Sequence, residues 1–157
     1  MTRLTTLLLI LLPLTGLSQT TIFLVRHAEK VDNSTNPALS IDGRARAIRL
    51  KEMLGSAGID KIYSTEYLRT INTVKPLADQ LRLEIESYRA FDDELVTVLR
   101  NAKNQQILVS GHSNTIPDLT NKLIGENRYT QLPDNEYSTI YVVTITEESS
   151  DCLVLKY

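Results

Sequence analysis

Strand-like and helix-like segments alternate along the 157 residues of this chain, and this alternation constrains its fold more than any other feature. Short apolar runs, typical of buried strands, are separated by longer stretches in which apolar side chains recur at helical spacing. The last two strand-like segments have no helix between them and predict a β-hairpin. The order β-α-β-α-β-α-β-α-β-β predicts one three-layer α/β/α sandwich with a mainly parallel sheet.

Local signals place the individual helices and strands. In the first predicted helix, Ser40 is a favourable N-cap and Gly58 a plausible end. Pro76 lies inside the second helical pattern, where proline is expected to kink or divide the helix. The fourth helix is predicted over 115–124. The apolar stripe of the first helix is expected to contain Ala45, Ile48, Met53, Leu54 and Ala57. The predicted strands are 21–25, 60–63, 83–87, 106–110, 138–146 and 152–156.

The N-terminal segment has the layout of a secretory signal peptide. A basic start precedes the apolar stretch Leu4–Leu17, which is shorter than the roughly 20 residues that span a bilayer. Gly16 and Ser18 place small residues where a signal peptidase requires them. A buried N-terminal helix or strand is the alternative, but such a helix would need burial on all sides. The sequence therefore predicts a signal peptide over 1–18, a mature domain over 19–157, and a secreted or periplasmic location.

Composition and charge argue against several classes of function. The formal net charge is −2 and the basic residues are scattered, so nothing indicates nucleic-acid binding. Cys152 is the only cysteine, which excludes an internal disulfide, and its alternating surroundings are typical of a packed strand residue. Neither a C-x-x-C nor an H-E-x-x-H motif occurs, so we expect no metal site and no cofactor.

The only two histidines each follow an apolar run that predicts a buried strand. His27 follows Arg26 at the end of the first strand, and His112 follows Gly111 at the end of the fourth. Open α/β sheets bind ligands at such strand ends, which favours a single site over two unrelated loop histidines. A neutral imidazole beside a permanently charged guanidinium suits phosphoryl transfer to a histidine nitrogen. Arg69, one turn into the second helix, is a candidate second cation, although a solvated surface arginine is the alternative.

Four segments then resemble motifs of the histidine phosphatase (phosphoglycerate-mutase-like) superfamily, in its small single-domain form. Residues 24–30 resemble the R-H-G signature, with Ala28 in place of glycine, and 39–47 resemble L-T-x-x-G-x-x-Q-A. Residues 63–73 resemble S-S-x-x-x-R-x-x-x-T, and 109–113 resemble V-x-G-H. Each motif alone is weak, but four in the family's order and at fitting distances are specific. The resemblance implies the same three-layer α/β fold and a reaction that requires no metal.

The resemblance also implies a role for each site residue. His27 would be the nucleophile that becomes phosphohistidine, and Arg26, Arg69 and His112 would bind the transferred phosphate. Members of the family usually protonate the leaving oxygen with a carboxylate placed after the third strand. Here that region holds Asp92-Asp93-Glu94, of which Asp92 is preferred, although an acidic helix start explains the cluster equally well. Family members that act on phosphohistidine lack such a donor, so the alternatives are one of these three residues or no donor at all.

We therefore expect a phosphatase that hydrolyses a phosphate monoester through a phosphohistidine intermediate on His27. A protein phosphohistidine phosphatase and a non-catalytic phospholigand-binding module are the alternatives. The expected partner is a phosphorylated small molecule or a phosphoprotein, without nucleic acid or a membrane span, and the oligomeric state is open. Glu29 and Lys30, which flank the nucleophile, are expected to form a local ion pair, and residues 113–115 to cap a helix. The tyrosines are scattered and predict no aromatic platform.

Overall fold

The computed structural model describes residues 18–91 and 93–157, so nearly all of the predicted signal peptide lies outside the described residues. In chain order the elements are β1 (Thr20–Arg26), α1 (Ile41–Leu54), β2 (Lys61–Ser64), α2 (Leu68–Leu81), β3 (Ile85–Ser87), α3 (Asp93–Asn101), β4 (Gln106–Gly111), α4 (Thr115–Ile124), β5 (Thr139–Ile145) and β6 (Ser150–Lys156). Their order is the predicted one. No helix in the described part of the chain is long and apolar enough to cross a membrane.

The six strands form one sheet in the order β3-β2-β4-β1-β5-β6. The pairs β3-β2, β2-β4 and β4-β1 are parallel, whereas β5 runs antiparallel to both β1 and β6. The predicted mainly parallel sheet with a closing hairpin is therefore confirmed. Because β1 and β4 are parallel neighbours at the centre, their carboxyl ends lie side by side.

Two helices cover each face of the sheet, which confirms the three-layer architecture. Helices α1 and α2 pack on one face, with Leu50 and Leu77 fully buried against Ile62 and Leu108. Helices α3 and α4 pack on the other face. That second core includes Leu99, Leu123, Ile22 and Ile107. The sheet is thus buried on both sides over its parallel portion, as parallel sheets require.

The buried face of α1 differs from the predicted stripe. The buried residues are Gly43, Ala47, Leu50 and Leu54, whereas Ile48 and Met53 are 41% and 45% exposed. The predicted stripe grouped the large apolar side chains, but the helix turns its smallest residues toward the backbone after β1, where little space is available. The helix also ends at Leu54 with Gly55 as its C-cap, three residues before the predicted Gly58. The predicted N-cap is confirmed, because the Ser40 side chain accepts a hydrogen bond from the Gly43 N–H.

Helix α2 continues through Pro76, so the predicted division of this helix is wrong. Proline lacks the N–H that would bond to the carbonyl of Asn72, four residues earlier. Val74, Leu77 and Ala78 are buried on both sides of the proline, and this packing holds the helix in one piece.

Candidate active site

The two histidines lie together at the carboxyl ends of β1 and β4. Arg26 and Gly111 are paired in the register of these strands, and the His27 N–H donates to the Gly111 carbonyl at 2.9 Å. The imidazole rings of His27 and His112 are 5.6 Å apart, in an edge-to-face arrangement. The tertiary structure therefore brings both histidines into one site.

Hydrogen bonding fixes the proton on the His27 ring. Its Nδ1 atom lies 2.8 Å from the Ala28 carbonyl oxygen, which can only accept, so Nδ1 carries the proton. The Nε2 atom is then an unprotonated lone pair. Burial, together with the positive charge of Arg26 and Arg69, lowers the pKa of His27 to about 3. The imidazole is consequently neutral across the physiological pH range, which is the state required of a nucleophile.

The alanine beside His27 fits because its backbone does not need glycine. Ala28 is not among the described residues with positive φ, and it is fully buried beside Leu39 and Ala47. Its N–H donates to the Thr73 hydroxyl at 2.8 Å, and that hydroxyl donates to the Arg69 carbonyl at 2.7 Å. Thr73 thus connects the end of β1 to the turn of α2 that carries Arg69.

A close approach of two backbone segments explains the glycine at position 43. A Cβ atom there would collide with the Glu29 carbonyl oxygen, which also accepts from the Ser40 N–H at 2.9 Å. Only glycine permits this contact. The start of α1 is therefore pressed against the segment that follows the nucleophile.

The expected ion pair between Glu29 and Lys30 is wrong. Glu29 instead pairs with Arg46 of α1, with an Nη2 to Oε1 distance of 2.6 Å, and Lys30 donates to Asn33. The predicted partners are adjacent in sequence, but Arg46 lies on the helix that Gly43 brings close. The pair fixes α1 against the end of β1 behind the nucleophile.

Arg26 is buried at the floor of the site and is oriented by the loop between α4 and β5. Its Nη1 atom donates to the carbonyls of Pro133 and Glu136 at 2.8 and 2.9 Å. Its Cζ atom lies 4.2 Å from the centre of the Tyr137 ring. The side chain is only 5% exposed, yet its Nε atom has no hydrogen-bond partner. An anionic ligand can accept the hydrogen bond that such a buried donor lacks.

Arg69 and His112 form the other side of the site. The Arg69 Cζ atom lies 4.3 Å from the centre of the Tyr67 ring, and the His112 ring lies 5.2 Å from the same ring. Burial, together with repulsion from Arg69 and Arg26, lowers the pKa of His112 to about 4. Two guanidinium groups thus face two neutral imidazoles, and the site carries local positive charge within an acidic chain.

The hydroxyl network behind His112 assigns its tautomer. Thr70 donates its hydroxyl proton to the backbone carbonyls of Thr65 and Tyr67, and Thr65 donates to the Thr70 oxygen at 2.9 Å. The Thr65 oxygen therefore accepts from the His112 Nε2 atom, 3.1 Å away. His112 therefore carries its ring proton on Nε2, where it donates to the Thr65 hydroxyl.

The residues after His112 fulfil their expected role only in part. The Thr115 hydroxyl accepts from the His112 N–H at 2.9 Å and so caps the turn into α4. Asn114 occupies the N-cap position without a side-chain hydrogen bond, and the Ser113 carbonyl accepts from Leu132. This last bond ties the loop that orients Arg26 to the end of β4.

A cavity of about 990 Å³ opens beside His112. Thr65 and Tyr67, which contact His112, also line this cavity. Its volume lies at the upper end of the range for small-molecule sites, about 300–1,000 Å³. The remaining lining residues include three carboxylates and one arginine: Glu66, Glu86, Glu94 and Arg89. Arg26, His27, Arg69 and His112 are not among its lining residues, so the cavity adjoins the site and does not contain it.

The candidate proton donors differ in their position relative to the cavity. Asp92, the preferred candidate, lies outside the described residues and stays a prediction. The Asp93 carboxylate is 83% exposed and pairs with Lys122 of α4 at 2.8 Å, and it does not line the cavity. Glu94 does line the cavity. The position of Glu94 therefore favours it over Asp93.

The sequence did not reveal Tyr67, Tyr137 or Thr65 as members of the site. Tyr67 and Thr65 fall on unspecified or loosely matched positions of a motif, so only the nearby Arg69 pointed to them. Tyr137 lies in a loop far from every motif, and nothing in the sequence indicated it. Folding nevertheless brings two of the scattered tyrosines, Tyr67 and Tyr137, against the site.

The remaining titratable groups show no second centre of this kind. In residues 18–91 and 93–157, no group of three or more His, Cys, Asp or Glu side chains is arranged to hold a metal ion. Cys152 lies in β6, packs against the core on the side of α4, and has a pKa raised by burial. It is thus a strand residue rather than a reactive thiolate.

A neutral histidine with an unprotonated Nε2, two arginines and a second histidine lie at the carboxyl edge of the parallel part of an α/β sheet, an arrangement suited to phosphoryl transfer. The model of the histidine phosphatase superfamily (branch 1) matches residues 22–95, which contain His27, Arg26 and Arg69. Over these residues the chain is similar to the histidine phosphatase superfamily. No curated protein sequence matches the chain.

Solved structures share the fold at low sequence identity. A mycobacterial glucosyl-3-phosphoglycerate phosphatase has a TM-score of 0.70 and 13% identity over 88% of this chain and 98% of its own. The protein histidine phosphatase SixA, solved with tungstate, has a TM-score of 0.69 and 20% identity over 87% of this chain and 96% of its own. Bacillus stearothermophilus YhfR has a TM-score of 0.68 and 13% identity over 86% of this chain and 96% of its own.

Proposed function

We propose that this protein is a phosphatase that hydrolyses a phosphate monoester through a phosphohistidine intermediate on His27. The observation that carries the proposal is the tautomer of His27. Its Nδ1 proton is held by the Ala28 carbonyl, so Nε2 is left as the nucleophile beside Arg26 and Arg69. The match of residues 22–95 to the histidine phosphatase superfamily supports the same reaction.

In the first step the His27 Nε2 lone pair forms a bond to phosphorus while the bond to the leaving oxygen breaks. The leaving oxygen takes a proton from an acid, and Asp92 and Glu94 are the candidates. Arg26 supplies its unpartnered Nε–H and Arg69 its positive charge to the phosphoryl oxygens, and His112 would join them by exchanging the Nε2–H bond to Thr65 for one to the phosphate. Water then attacks phosphorus, the P–N bond breaks, and His27 and inorganic phosphate are released.

Replacement of His27 tests the nucleophile. His27→Ala should reduce turnover of p-nitrophenyl phosphate to background, and rapid denaturation in alkaline detergent after mixing with a labelled phosphate ester should label only the unaltered protein. Cys152→Ser is the matched control, since Cys152 lies on β6, and it should retain full activity. Unchanged turnover in His27→Ala would exclude this mechanism. Binding of phosphate without any labelling of His27 would favour the non-catalytic module.

The proton donor can be tested by varying the leaving group. A donor is needed for an alkyl phosphate but hardly for nitrophenolate, which leaves without a proton. Loss of the acid should therefore slow alkyl phosphate hydrolysis by about 10²–10⁴-fold while p-nitrophenyl phosphate is hydrolysed normally. Asp92→Asn and Glu94→Gln are compared, with Asp93→Asn as the control. Equal rates for all three variants would show that no member of this cluster is the donor.

A protein phosphohistidine phosphatase is the second candidate. The likeness to SixA, whose name describes that activity and of which the chain covers 96%, favours it. A nitrogen leaving group departs more readily than an alkoxide, so the reaction would tolerate loss of all three acidic residues. Higher kcat/KM for a phosphohistidine peptide than for sugar phosphates would establish this alternative, and the reverse order would exclude it.

We also propose that residues 1–18 are a cleaved signal peptide and that the phosphatase works in a secreted or periplasmic location. The proposal is supported by the small residues before Gln19 and by the start of β1 at Thr20, directly after the predicted cleavage site. Expression in a bacterium with a cell envelope, followed by fractionation and N-terminal sequencing, tests it. A chain recovered from the cytoplasm with an intact N-terminus would contradict it.

A further inference from the structure

Two tyrosines flank the phosphate site in equivalent ways. Tyr137 lies under the Arg26 guanidinium at 4.2 Å and its ring centre is 6.0 Å from that of His27. Tyr67 lies under the Arg69 guanidinium at 4.3 Å and its ring centre is 5.2 Å from that of His112. Each tyrosine thus contacts one arginine and one histidine. The two come from different parts of the fold, the N-cap of α2 and the segment before β5.

We propose that Tyr67 and Tyr137 are positioning residues whose ring faces hold the two phosphate-binding arginines in place without using an anionic partner. The inference rests on the proposed function for the role of the arginines. It assigns a task to two side chains that none of the sequence motifs specifies.

The charges around the site explain why a ring is suited to this task. No ion pair of the described residues involves Arg26 or Arg69. A carboxylate paired with either arginine would occupy its N–H groups and would repel an incoming phosphate. An aromatic face instead attracts the flat surface of the guanidinium, by about 0.5–2 kcal/mol depending on burial, and leaves the N–H edge free.

The hydrogen bonds of the arginines agree with a guanidinium that contacts a ring through its flat surface and keeps N–H groups available. Arg26 uses Nη1 for the carbonyls of Pro133 and Glu136, while its Nε remains without a partner in a buried position. For Arg69, the contact with the Tyr67 ring is the interaction that the structure shows for its guanidinium. Loss of that ring would leave the Arg69 side chain free to adopt other rotamers, and phosphate binding would then require it to be ordered again.

The position of Tyr67 distinguishes the positioning of Arg69 from packing in the hydrophobic core. Its side chain is 41% exposed, so little buried apolar surface is lost when the ring is removed. A purely structural tyrosine would affect the melting temperature more than anion binding. A positioning tyrosine should affect anion binding and KM while the fold is retained.

The test compares leucine and phenylalanine at each position, with tungstate as a phosphate-like oxyanion and calorimetry as the measurement. Tyr67→Leu and Tyr137→Leu should each weaken tungstate binding by about 3- to 30-fold, the equivalent of the ring attraction. Tyr67→Phe and Tyr137→Phe keep the ring and should bind within about twofold of the unaltered protein. With p-nitrophenyl phosphate, the leucine variants should raise KM and the phenylalanine variants should not.

Tyr129→Leu is the matched control, because Tyr129 carries Arg128 over its ring at 6.0 Å outside the phosphate site. Its tungstate affinity should be unchanged. Melting temperatures of all variants identify those that remain folded. The inference is overturned if folded leucine variants bind tungstate like the unaltered protein, or if phenylalanine is as harmful as leucine.

Failure of this inference is distinguishable from failure of the proposed function. If the unaltered protein hydrolyses phosphate monoesters but the leucine variants bind tungstate with unchanged affinity, the positioning role is wrong and the proposed phosphatase activity is supported. If the leucine variants bind tungstate more weakly than the phenylalanine variants but no ester is hydrolysed, the positioning role is supported and the proposed phosphatase activity is wrong.

Discussion

The two neutral histidines of the active site predict a loss of stability at mildly acidic pH. The pKa of His27 is lowered from its ordinary 6.5 to about 3, and that of His112 to about 4. Between these values and 6.5 the unfolded chain binds protons that the folded protein does not. The free energy of unfolding must therefore fall as the pH falls through this range.

The size of the effect follows from the linkage of protons to folding. Each such histidine removes up to about 1.4 kcal/mol per pH unit, which for His27 amounts to about 2 kcal/mol between pH 7 and pH 5. Since His27 is 5% exposed, solvent screening reduces this value little. His27→Gln cannot take up a proton, so its stability should decline by about 2 kcal/mol less than that of the unaltered protein over the same range.

Urea unfolding at pH 5, 6 and 7 measures this difference directly, provided that the m-value stays constant. His112→Gln should show a reduced decline as well. Because the chain contains only two histidines, the imidazole proton resonances provide an independent measurement, and one variant assigns both. The reasoning would be refuted if His27→Gln declined as steeply as the unaltered protein, or if either resonance titrated near pH 6.5.

Two further predictions concern the backbone around the nucleophile. Gly43→Ala places a Cβ against the Glu29 carbonyl, and we expect it to cost about 1–3 kcal/mol in urea unfolding and to lower kcat/KM; full stability would show that α1 can move away from β1 freely. Thr73→Val leaves the buried Ala28 N–H without its acceptor and should cost about 1–3 kcal/mol, whereas Thr73→Ser should restore both stability and activity. A stable valine variant beside a destabilised serine variant would show that packing of the methyl group, rather than the hydroxyl, holds this position.

Sequence reasoning worked best where one short segment contains the whole signal. Helix α4 was predicted with its observed bounds, and β1 and β4 within one residue, because an apolar run or a helical period is a local property. His27 and His112 were placed at one site because the ends of parallel strands meet at one edge. Arg69 was selected by a motif, since spacing alone does not separate a site arginine from a surface one.

Two of the predictions that were wrong share a cause. In each, the observed contact is made with a residue that lies far away in the chain. The large side chains of α1 predicted one buried stripe, but the closeness of Glu29 and Gly43 decides which face turns inward. Glu29 was assigned its sequence neighbour Lys30, yet its partner Arg46 is 17 residues away. In both cases the local pattern was compatible with several contacts, and packing selected one.

The sequence by itself determined the order of strands and helices, the likeness to a family, and which residues are candidates for the site. These follow from periodicity and from motifs that each occupy a few neighbouring residues. Only the tertiary structure decided how the chemistry is supported: the Ala28 carbonyl that fixes the His27 tautomer, the carbonyls that orient Arg26 from 107 and 110 residues away, and the rings of Tyr67 and Tyr137. Such contacts depend on how the crossovers place distant segments, because orientation of a buried side chain is set by every neighbour that packs around it.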